Sequence, residues 1–451
     1  MKHLENLFKI KALFAFALAS VLVGSLVQQY LARGKLHEPN CDFYVYYFAA
    51  QIVRDNPHAN IYDGIANTNP ETLNATAGSE ISKYAERAGF GDVMYYLYPP
   101  LLADFLTPFT RIPSHLAATL WRAFNMALVL ASAFLLARLL RIPILSFEFV
   151  ALFVAGYSFF PIHEALMTGQ IVIVMLALWM AGISAYHDGR VVVSAALFAL
   201  ATALKVTPIL LLPLFFIWKD RRWIVSYLSA SLGLLAAMTA INGLQTIRIY
   251  SSVMAAMSGG IPSAINKTLG SLVYWVYYGR ILAEDSARGI VVSPPSYLMF
   301  AAKAVCGIFY LFCLYLVWRC RRIERVSRAA VIAVFSLVTL CVAPVSWRHG
   351  YSIAFIALAI YWVKALRNPR TRPLRAVLLA LTTFTIGCIF VEYLVAAPLP
   401  QLCKIPLAAL WVVFSVLFSV DALYHISEDS QDGTENGCSA ASFGVFPRLH
   451  P

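Results

Sequence analysis

Long apolar runs separated by short polar segments recur along most of this chain of 451 residues. Many of the runs are about 17–25 residues long, which is the length that an α-helix needs to cross a bilayer. The first run, at residues 10–30, is too long for a signal peptide, and no small-residue cleavage site is evident before Arg33. The pattern predicts an all-α polytopic membrane protein.

The charged residues between the runs predict how the chain is threaded. Short Lys- and Arg-rich segments, such as those at residues 319–328 and 364–375, are typical of cytoplasmic loops. Two longer segments, residues 31–111 and 242–296, then fall outside, and the count is about 12 transmembrane helices with both termini inside. We expect a multi-pass protein of the plasma (inner) membrane, with a membrane domain over residues 1–424 and a disordered cytoplasmic tail over residues 425–451.

The composition agrees with this class and excludes others. The chain is 60% hydrophobic and 13% charged, with a mean hydropathy of +0.71. The net charge of +12 comes from the loops between apolar runs, so it does not indicate nucleic acid. The eight cysteines form no Cys-x-x-Cys pair, and P-loop, Rossmann and His-Glu-x-x-His patterns are absent from the sequence. No metal and no cofactor is expected.

The apolar run at residues 191–218 is interrupted near its middle by Lys205 and Pro208. One straight helix would place Lys205 in hydrocarbon, at a cost of about 3 kcal/mol, and would put the following basic residues outside. Irregular backbone at membrane depth is tolerated where it lines protein or a wet cavity. We therefore predict two short helical legs, with Lys205 at an external turn.

On this topology several polar side chains converge on the external face. Ionisable groups at membrane-facing positions are costly, so they mark sites more often than such groups elsewhere. This set is mostly basic, which suits an anionic leaving group together with one proton acceptor. Its members are Asp42, Arg122, His163, Glu164, Gln170, Lys205, Asn266, Lys267, Arg348 and His349.

Each of these residues also has a purely structural interpretation. Asp42 is also compatible with a solvated loop, and Arg122 with an arginine that extends to the lipid headgroups. His163 and Glu164 could pair with each other. Gln170 could cap a helix or form an interhelical hydrogen bond. The interpretation of each residue is left open on its own position.

The order of the motifs is more informative than any one of them. An Asp in the first external segment is followed by Tyr-Asp, Tyr-Pro-Pro, Gly-Gln, Lys-Val-x-Pro and Pro-x-Ser-Trp-x-His. Over residues 10–360 this order resembles glycosyltransferase family 87, the polyprenyl-phosphate-mannose-dependent mannosyltransferases of the GT-C superfamily. The family often has Asn shortly after Gly-Gln, where this chain has Ile171-Val172-Ile173. The residues that carry the resemblance are Asp42, Tyr62-Asp63, Tyr98-Pro99-Pro100, Gly169-Gln170, Lys205-Val206-Thr207-Pro208 and Pro344-Val345-Ser346-Trp347-Arg348-His349.

The resemblance implies a GT-C-type glycosyltransferase fold with the active site on the extracytoplasmic face. It implies a hexosyltransferase that moves a hexose, with mannose the first candidate, from a polyprenyl-phosphate donor to a lipid or glycan acceptor. The aspartate of the first external segment is the general base in this family, and that role falls to Asp42. The histidine of the Ser-Trp-x-His motif contacts the donor phosphate, and that role falls to His349.

Charge and depth add further candidates to the site. Lys205 and Arg348 are predicted as additional contacts to the donor phosphate, because both are cations near the same face. Tyr98, Gln170, Asn266 and Arg122 are predicted to line the substrate pocket. One carboxylate suffices for a single inverting displacement, whereas retaining glycoside hydrolysis uses two.

Two other functions compete with the transferase. A secondary transporter or lipid flippase would explain the interrupted helix at Lys205, although no repeat between the two halves is detectable. A membrane scaffold without catalytic activity would not need an acid, a lysine and a histidine on one face.

Overall fold

The computed structural model describes residues 2–32, 41–56, 59–63, 65, 78–90, 93–262, 266–284, 294–368, 371–388 and 401–435. Within these ranges the chain is helical, and the β-type pairing there is one isolated bridge between Asn266 and Trp347. The α-helices are α1 Lys2–Ala32, α2 Cys41–Asp55, α3 Glu80–Arg87, α4 Pro100–Leu106, α5 Ser114–Leu140, α6 Phe147–Ser158, α7 Phe160–Thr168, α8 Val172–His187, α9 Val191–Leu204, α10 Leu212–Ile217, α11 Arg221–Met257, α12 Leu269–Glu284, α13 Ser296–Arg319, α14 Arg325–Val342, α15 Ala354–Arg367, α16 Pro373–Gly387 and α17 Gln401–Glu435. Three short 3₁₀ helices span Thr107–Arg111, Thr207–Leu211 and Arg348–Ile353.

Six helical segments of the described chain are long and apolar enough to cross a membrane. They lie at Glu5–Val27, Ser114–Leu140, Arg221–Met257, Ser296–Arg319, Arg348–Arg367 and Ala409–Ile426. The pair α6 and α7, bent by 60°, adds a seventh if it is one span, and five shorter apolar helices accompany them. The prediction of an all-helical membrane protein is confirmed, while the count of about 12 crossings stays a prediction.

Two helices lie at the centre of the bundle. Every residue of α14 from Ala329 to Cys341 is buried, and α8 is buried along most of its length. Helix α8 packs against α5, α9 and α14, while α14 also contacts α13, α15 and α17. The outer helices instead expose large apolar side chains, such as Leu232 on α11 and Phe300 on α13, as expected for surfaces that face lipid.

The run that contains Lys205 is broken as predicted. Helix α9 ends at Leu204, and Lys205 follows in an extended conformation with φ −157° and ψ 116°. A 3₁₀ turn begins at Thr207, with Pro208 at its start, and passes directly into α10. The break therefore releases Lys205 from a regular helix and leaves its side chain half-buried.

Both segments predicted as long external loops contain helices. The first holds α2, α3 and α4, and α4 begins at Pro100, where the missing N–H of proline costs nothing. The second begins inside α11, which is kinked at Gly243 with φ 78° and continues to Met257. At this kink Asn242 Nδ2 donates a 2.7 Å hydrogen bond to Asp104 Oδ2 and so joins α11 to α4. Burial raises the pKa of Asp104, and the bond from Asn242 opposes that rise.

The end of the chain is described only in part. Helix α17 runs to Glu435, and residues 436–451 lie outside the described residues. The division into a membrane domain over residues 1–424 and a tail over residues 425–451 stays a prediction.

Candidate active site

Asp42 lies in the first turn of a helix rather than in a loop. Helix α2 begins at Cys41, and a carboxylate in the first turn interacts favourably with the positive end of the helix dipole. The next eight residues, from Phe43 to Ala50, are buried, whereas Asp42 is half-buried. The aromatic side chains of α2 thus fix the helix in the bundle, and its first turn presents the carboxyl group at one end.

Asp42, Lys205 and His349 are brought together by the fold. The carboxyl group of Asp42 interacts electrostatically with the ammonium group of Lys205. The ammonium group of Lys205 in turn interacts with the imidazole of His349, which also lies in the field of Arg348. Lys205 is therefore close to both the predicted base and the predicted phosphate ligand, which are far apart in the sequence.

Tyr98 lies near the same carboxyl group and is hydrogen-bonded to Gln170. Gln170 Oε1 accepts hydrogen bonds from Tyr46 Oη at 2.8 Å and from Tyr98 Oη at 3.1 Å. Burial raises the pKa of both tyrosines, and the nearby Asp42 carboxylate raises it further. Both hydroxyl groups therefore stay protonated at neutral pH and remain hydrogen-bond donors.

A glycine turn places Gln170 at this position. Helix α7 ends at Gly169, which has φ 73°, a conformation that glycine adopts without strain. Gln170 N donates to Ala165 O at 2.9 Å, and Trp121 Nε1 donates to Gly169 O at 2.8 Å. The Gly-Gln motif is thus a helix cap tied to α5, and its side chain is buried against α2 and Tyr98.

The Tyr-Asp and Tyr-Pro-Pro motifs are joined by a single contact. Tyr62 Oη donates a 2.8 Å hydrogen bond to the carbonyl oxygen of Tyr98. Tyr96 supports the same segment, because its hydroxyl donates to Pro99 O at 2.7 Å and accepts from Ala103 N at 3.1 Å. These bonds hold the Tyr98 side chain towards Asp42.

The segment that carries His349 is fastened by Asn266. Asn266 Nδ2 donates to Ile261 O at 3.0 Å and to Pro344 O at 3.2 Å, while its Oδ1 accepts from Ser346 N at 2.8 Å. Both N–H donors of the amide are therefore used within the protein. These bonds position the segment that leads to His349, and the predicted contact of Asn266 with substrate stays a prediction.

Two polar atoms of this segment are buried without a hydrogen-bond partner among the described residues. They are His349 Nε2 and Ser346 Oγ. Burying such atoms unsatisfied costs about 1–3 kcal/mol each, so native proteins rarely leave them so. The two residues lie within one four-residue stretch, and His349 is near Lys205 and Arg348. A polar ligand bound at this stretch would supply the missing hydrogen-bond partners.

Arg348 is paired with Glu164. Arg348 Nη2 lies 2.7 Å from Glu164 Oε1, and the guanidinium group lies 5.7 Å from the ring centroid of Phe160. This contact joins the 3₁₀ helix after Trp347 to α7. The sequence was compatible with a pairing of Glu164 with His163, but the side chains of adjacent helical residues do not face each other. His163 is instead buried edge-on against Tyr157, with ring centroids 5.6 Å apart.

Two other cations of the predicted set differ in their surroundings. Arg122 is half-buried on α5, where its neighbour Trp121 is the residue that contacts the Gly169 turn. Its predicted place in the substrate pocket stays a prediction. Lys267 is buried, and its ammonium group lies 5.5 Å from the ring centroids of both Trp275 and Trp411. Such cation–π contacts indicate a structural role for Lys267.

A cavity of about 260 Å³ adjoins the segment before His349. It lies between the first turn of α12, the middle of α13 and the end of α14, and Lys303 and Ser258 are among its few polar residues. Its walls are otherwise mostly apolar and rich in small residues. The lining residues are Leu210, Ser258, Gly259, Gly260, Thr268, Gly270, Tyr274, Ala302, Lys303, Cys306, Gly307, Tyr310, Val342, Ala343 and Pro344.

Within the described ranges, no group of three or more His, Cys, Asp or Glu side chains is arranged to hold a metal ion. The site is thus made of a carboxyl group, a lysine, a histidine and an arginine–glutamate pair, set in a bundle of apolar helices.

Comparison with known proteins agrees with a membrane enzyme of this kind. The profile of glycosyltransferase family 87 matches residues 96–344, which is more than half of the chain. The chain therefore belongs to glycosyltransferase family 87. Tyr98, Gln170 and Lys205 fall inside the match, whereas Asp42 and His349 fall outside it. No curated protein and no solved structure shows a significant match.

Proposed function

We propose that this glycosyltransferase moves a hexose, with mannose the first candidate, from a polyprenyl-phosphate donor to a lipid or glycan acceptor, with inversion. The reaction takes place on the extracytoplasmic face of the plasma (inner) membrane. Asp42 is the general base, and His349, Lys205 and Arg348 are the contacts of the donor phosphate. The observation that carries this proposal is that Lys205 interacts electrostatically with both Asp42 and His349.

The base acts on the acceptor. A hydroxyl group of the acceptor gives its proton to Asp42 as its oxygen forms a bond to the anomeric carbon. We assign the acceptor sugar to the side of the site where Tyr98 lies near Asp42 and is hydrogen-bonded to Gln170. A proton acceptor must lie within hydrogen-bond reach of its proton, and the partial exposure of Asp42 in the first turn of α2 leaves room for an acceptor hydroxyl group to approach it.

The leaving group departs from the opposite face of the sugar. The bond from the anomeric carbon to the phosphate oxygen breaks, and its electron pair stays with the polyprenyl phosphate. Negative charge thus moves from Asp42 to the phosphate during the reaction. Lys205 interacts with the groups at both ends, so the same cation stabilises the charge before and after the transfer.

Inversion follows from the number of carboxyl groups. A retaining mechanism uses a second carboxylate as nucleophile, about 5 Å from the first. The other acid of this region, Glu164, is held in an ion pair with Arg348. A single displacement with Asp42 as base needs no covalent intermediate.

The cavity beside the His349 segment fits the apolar part of the donor. Its lining is mostly apolar, and Pro344 and Thr268 connect it to the residues that position His349. We assign this cavity to the first isoprene units of the donor, whose phosphate then lies near Lys205 and His349.

A transporter or flippase remains the alternative, because the helix interrupted at Lys205 is a feature that transporters also use. The decisive experiment is to incubate membranes containing the protein with radiolabelled polyprenyl-phosphate-mannose and to identify the labelled product. We expect label in a glycan or glycolipid. Label that merely crosses the membrane on its original lipid would favour the flippase.

Topology mapping gives a second test. Single cysteines at the half-buried positions 42 and 348, introduced into a variant that lacks the native cysteines, should react with a membrane-impermeant reagent from the same, extracytoplasmic side. Labelling from opposite sides would remove the proposed site.

A further inference from the structure

The Glu164–Arg348 ion pair is not explained by the reaction as proposed. It neutralises Arg348, which is one of the three contacts assigned to the donor phosphate. The two atoms, Arg348 Nη2 and Glu164 Oε1, are 2.7 Å apart, and the side chains are 28% and 15% exposed. A phosphate that binds Arg348 must therefore compete with a carboxylate that already occupies it.

The reaction itself changes the charge that Arg348 can meet. The donor is a phosphodiester with one negative charge. The leaving polyprenyl phosphate is a monoester, which carries about 1.5 to 2 negative charges at pH 7. The demand for a second fixed cation thus rises at the moment of transfer. Lys205 is shared between Asp42 and His349, so Arg348 is a second cation that can respond to the added charge.

We propose that Glu164 holds Arg348 in reserve, so that its guanidinium group remains with the carboxylate while the singly charged donor is bound and turns to the phosphate when the monoester forms. The proposal rests on the proposed function, since it requires a phosphate lipid as donor. Glu164 then acts through Arg348 as a positioning residue, and it limits how tightly the product is retained.

This role differs from that of a pair that only ties α7 to the segment after Trp347. If the ion pair only fixes the position of Arg348, its loss would make the arginine more mobile and weaken its contact with every phosphate. If the Glu164 carboxylate instead competes with the phosphate for Arg348, its removal would strengthen the contact between Arg348 and the phosphate. The gain would be greatest for the ligand with the higher charge. The two roles therefore predict opposite signs.

The test uses the full chain in nanodiscs of uncharged (zwitterionic) lipid. Two ligands with the same chain are compared: a polyprenyl monophosphate, and its methyl ester, which has one charge fewer. Equilibrium binding of each is measured for the unchanged protein, Glu164→Gln, Arg348→Gln and the double variant. We expect Glu164→Gln to bind the monophosphate about fivefold more tightly, and the methyl ester by less than about twofold.

Arg348→Gln should weaken monophosphate binding, and the double variant should match Arg348→Gln alone because Glu164 acts through that arginine. Asp188→Asn is the matched control, since it breaks an Arg–carboxylate pair of 2.6 Å with Arg138 at the far end of α8, about 24 Å along the helix from its start. This control should leave the binding of both ligands unchanged.

Weaker or unchanged monophosphate binding in Glu164→Gln would overturn the reserve role, even where the unchanged protein binds and transfers normally. If the unchanged protein binds neither phosphate lipid, the proposed donor class fails, and the reserve role fails with it. The thermal unfolding temperature of each variant shows whether it is folded. Should Glu164→Gln not fold, Glu164→Asp, with a carboxylate too short to hold Arg348 at the same distance, takes its place with the same expected sign.

Discussion

Tyr46 Oη donates a 2.8 Å hydrogen bond to Gln170 Oε1, and this contact joins the helix of Asp42 to the glycine turn before α8. The same oxygen accepts a second bond from Tyr98 at 3.1 Å. A carbonyl oxygen has two lone pairs, so either tyrosine can be removed while Gln170 keeps one partner. Removing the hydroxyl group of Tyr46 or of Tyr98 separately therefore distinguishes a contribution to function from a contribution to stability.

We expect Tyr98→Phe to lower kcat about tenfold, because the half-buried Tyr98 hydroxyl adjoins both Asp42 and the acceptor side of the site. Tyr46→Phe removes a hydroxyl from a fully buried ring, so we expect it to cost about 1 kcal/mol of stability and little activity. Transfer rates at saturating donor and thermal unfolding in detergent measure the two effects. Equal loss of activity in both variants would point to Gln170 rather than Tyr98.

The role of Asp42 predicts a loss of chemistry without a loss of fold. Removing a general base lowers rates by about 10²- to 10⁴-fold, so Asp42→Asn should abolish detectable transfer. The helix should persist, since an uncharged Asn is still tolerated in its first turn. Membrane insertion and transfer of radiolabelled mannose are measured in parallel.

Asp55→Asn is the matched control for Asp42→Asn. It changes the same residue type at the other end of α2, where Asp55 pairs with Arg54 at 2.7 Å on the surface. This variant should transfer at the normal rate. Substantial transfer by Asp42→Asn would take the base role away from that residue.

The membrane class and the break at Lys205 were predictable, because hydrophobic runs and their interruptions are local properties of the sequence. A lysine and a proline within an apolar run make one continuous helix unfavourable, so a break is expected there. The closeness of Lys205 to both Asp42 and His349 agrees with the predicted topology, which places all three side chains on one face of the membrane.

The individual partners could not be predicted. Glu164 pairs with Arg348, and Asn266 binds the main chain around Pro344, across separations that no periodicity encodes. The helical nature of α2 and α12 was also missed, because these helices of 15 and 16 residues are shorter than a typical membrane-spanning run and lie within polar segments of the sequence. In the sequence, Asn266 before Lys267 was the available signal. Residue type alone did not distinguish an asparagine that binds the main chain from one that contacts a sugar.

Lys205→Met tests the cation between the base and the phosphate. We expect kcat/KM to fall about 100-fold, because the charge on both Asp42 and the leaving phosphate loses its partly buried counter-ion. Lys205→Arg should recover part of the activity, since it keeps the charge. The readouts are steady-state transfer and the binding of polyprenyl monophosphate.

Lys83→Met serves as control for the loss of a lysine, because Lys83 forms an exposed pair with Glu80 on α3, and such pairs contribute little. It should leave both readouts unchanged. Unaltered binding of the monophosphate in Lys205→Met would show that the lysine serves Asp42 alone.

The cavity between α12, α13 and α14 can be filled without disturbing the helices around it. Gly307 lies on α13 and lines the cavity, and a Cβ atom at this position would meet no heavy atom within 4 Å. Gly307→Leu should therefore place its side chain in the cavity and exclude the donor chain. We expect KM for the long-chain donor to rise about tenfold with kcat nearly unchanged, since uniform binding of the lipid is lost.

Gly233→Leu is the matched control, because Gly233 is exposed on α11 and its Cβ would likewise meet nothing within 4 Å. Both substitutions exchange a helical glycine for a better helix former, so both should preserve or raise stability by up to about 1 kcal/mol. A donor with a very short prenyl chain should be used equally well by Gly307→Leu and the unchanged protein. If KM rises equally for short and long chains, the cavity does not hold the lipid, and the donor chain must leave the site between other helices.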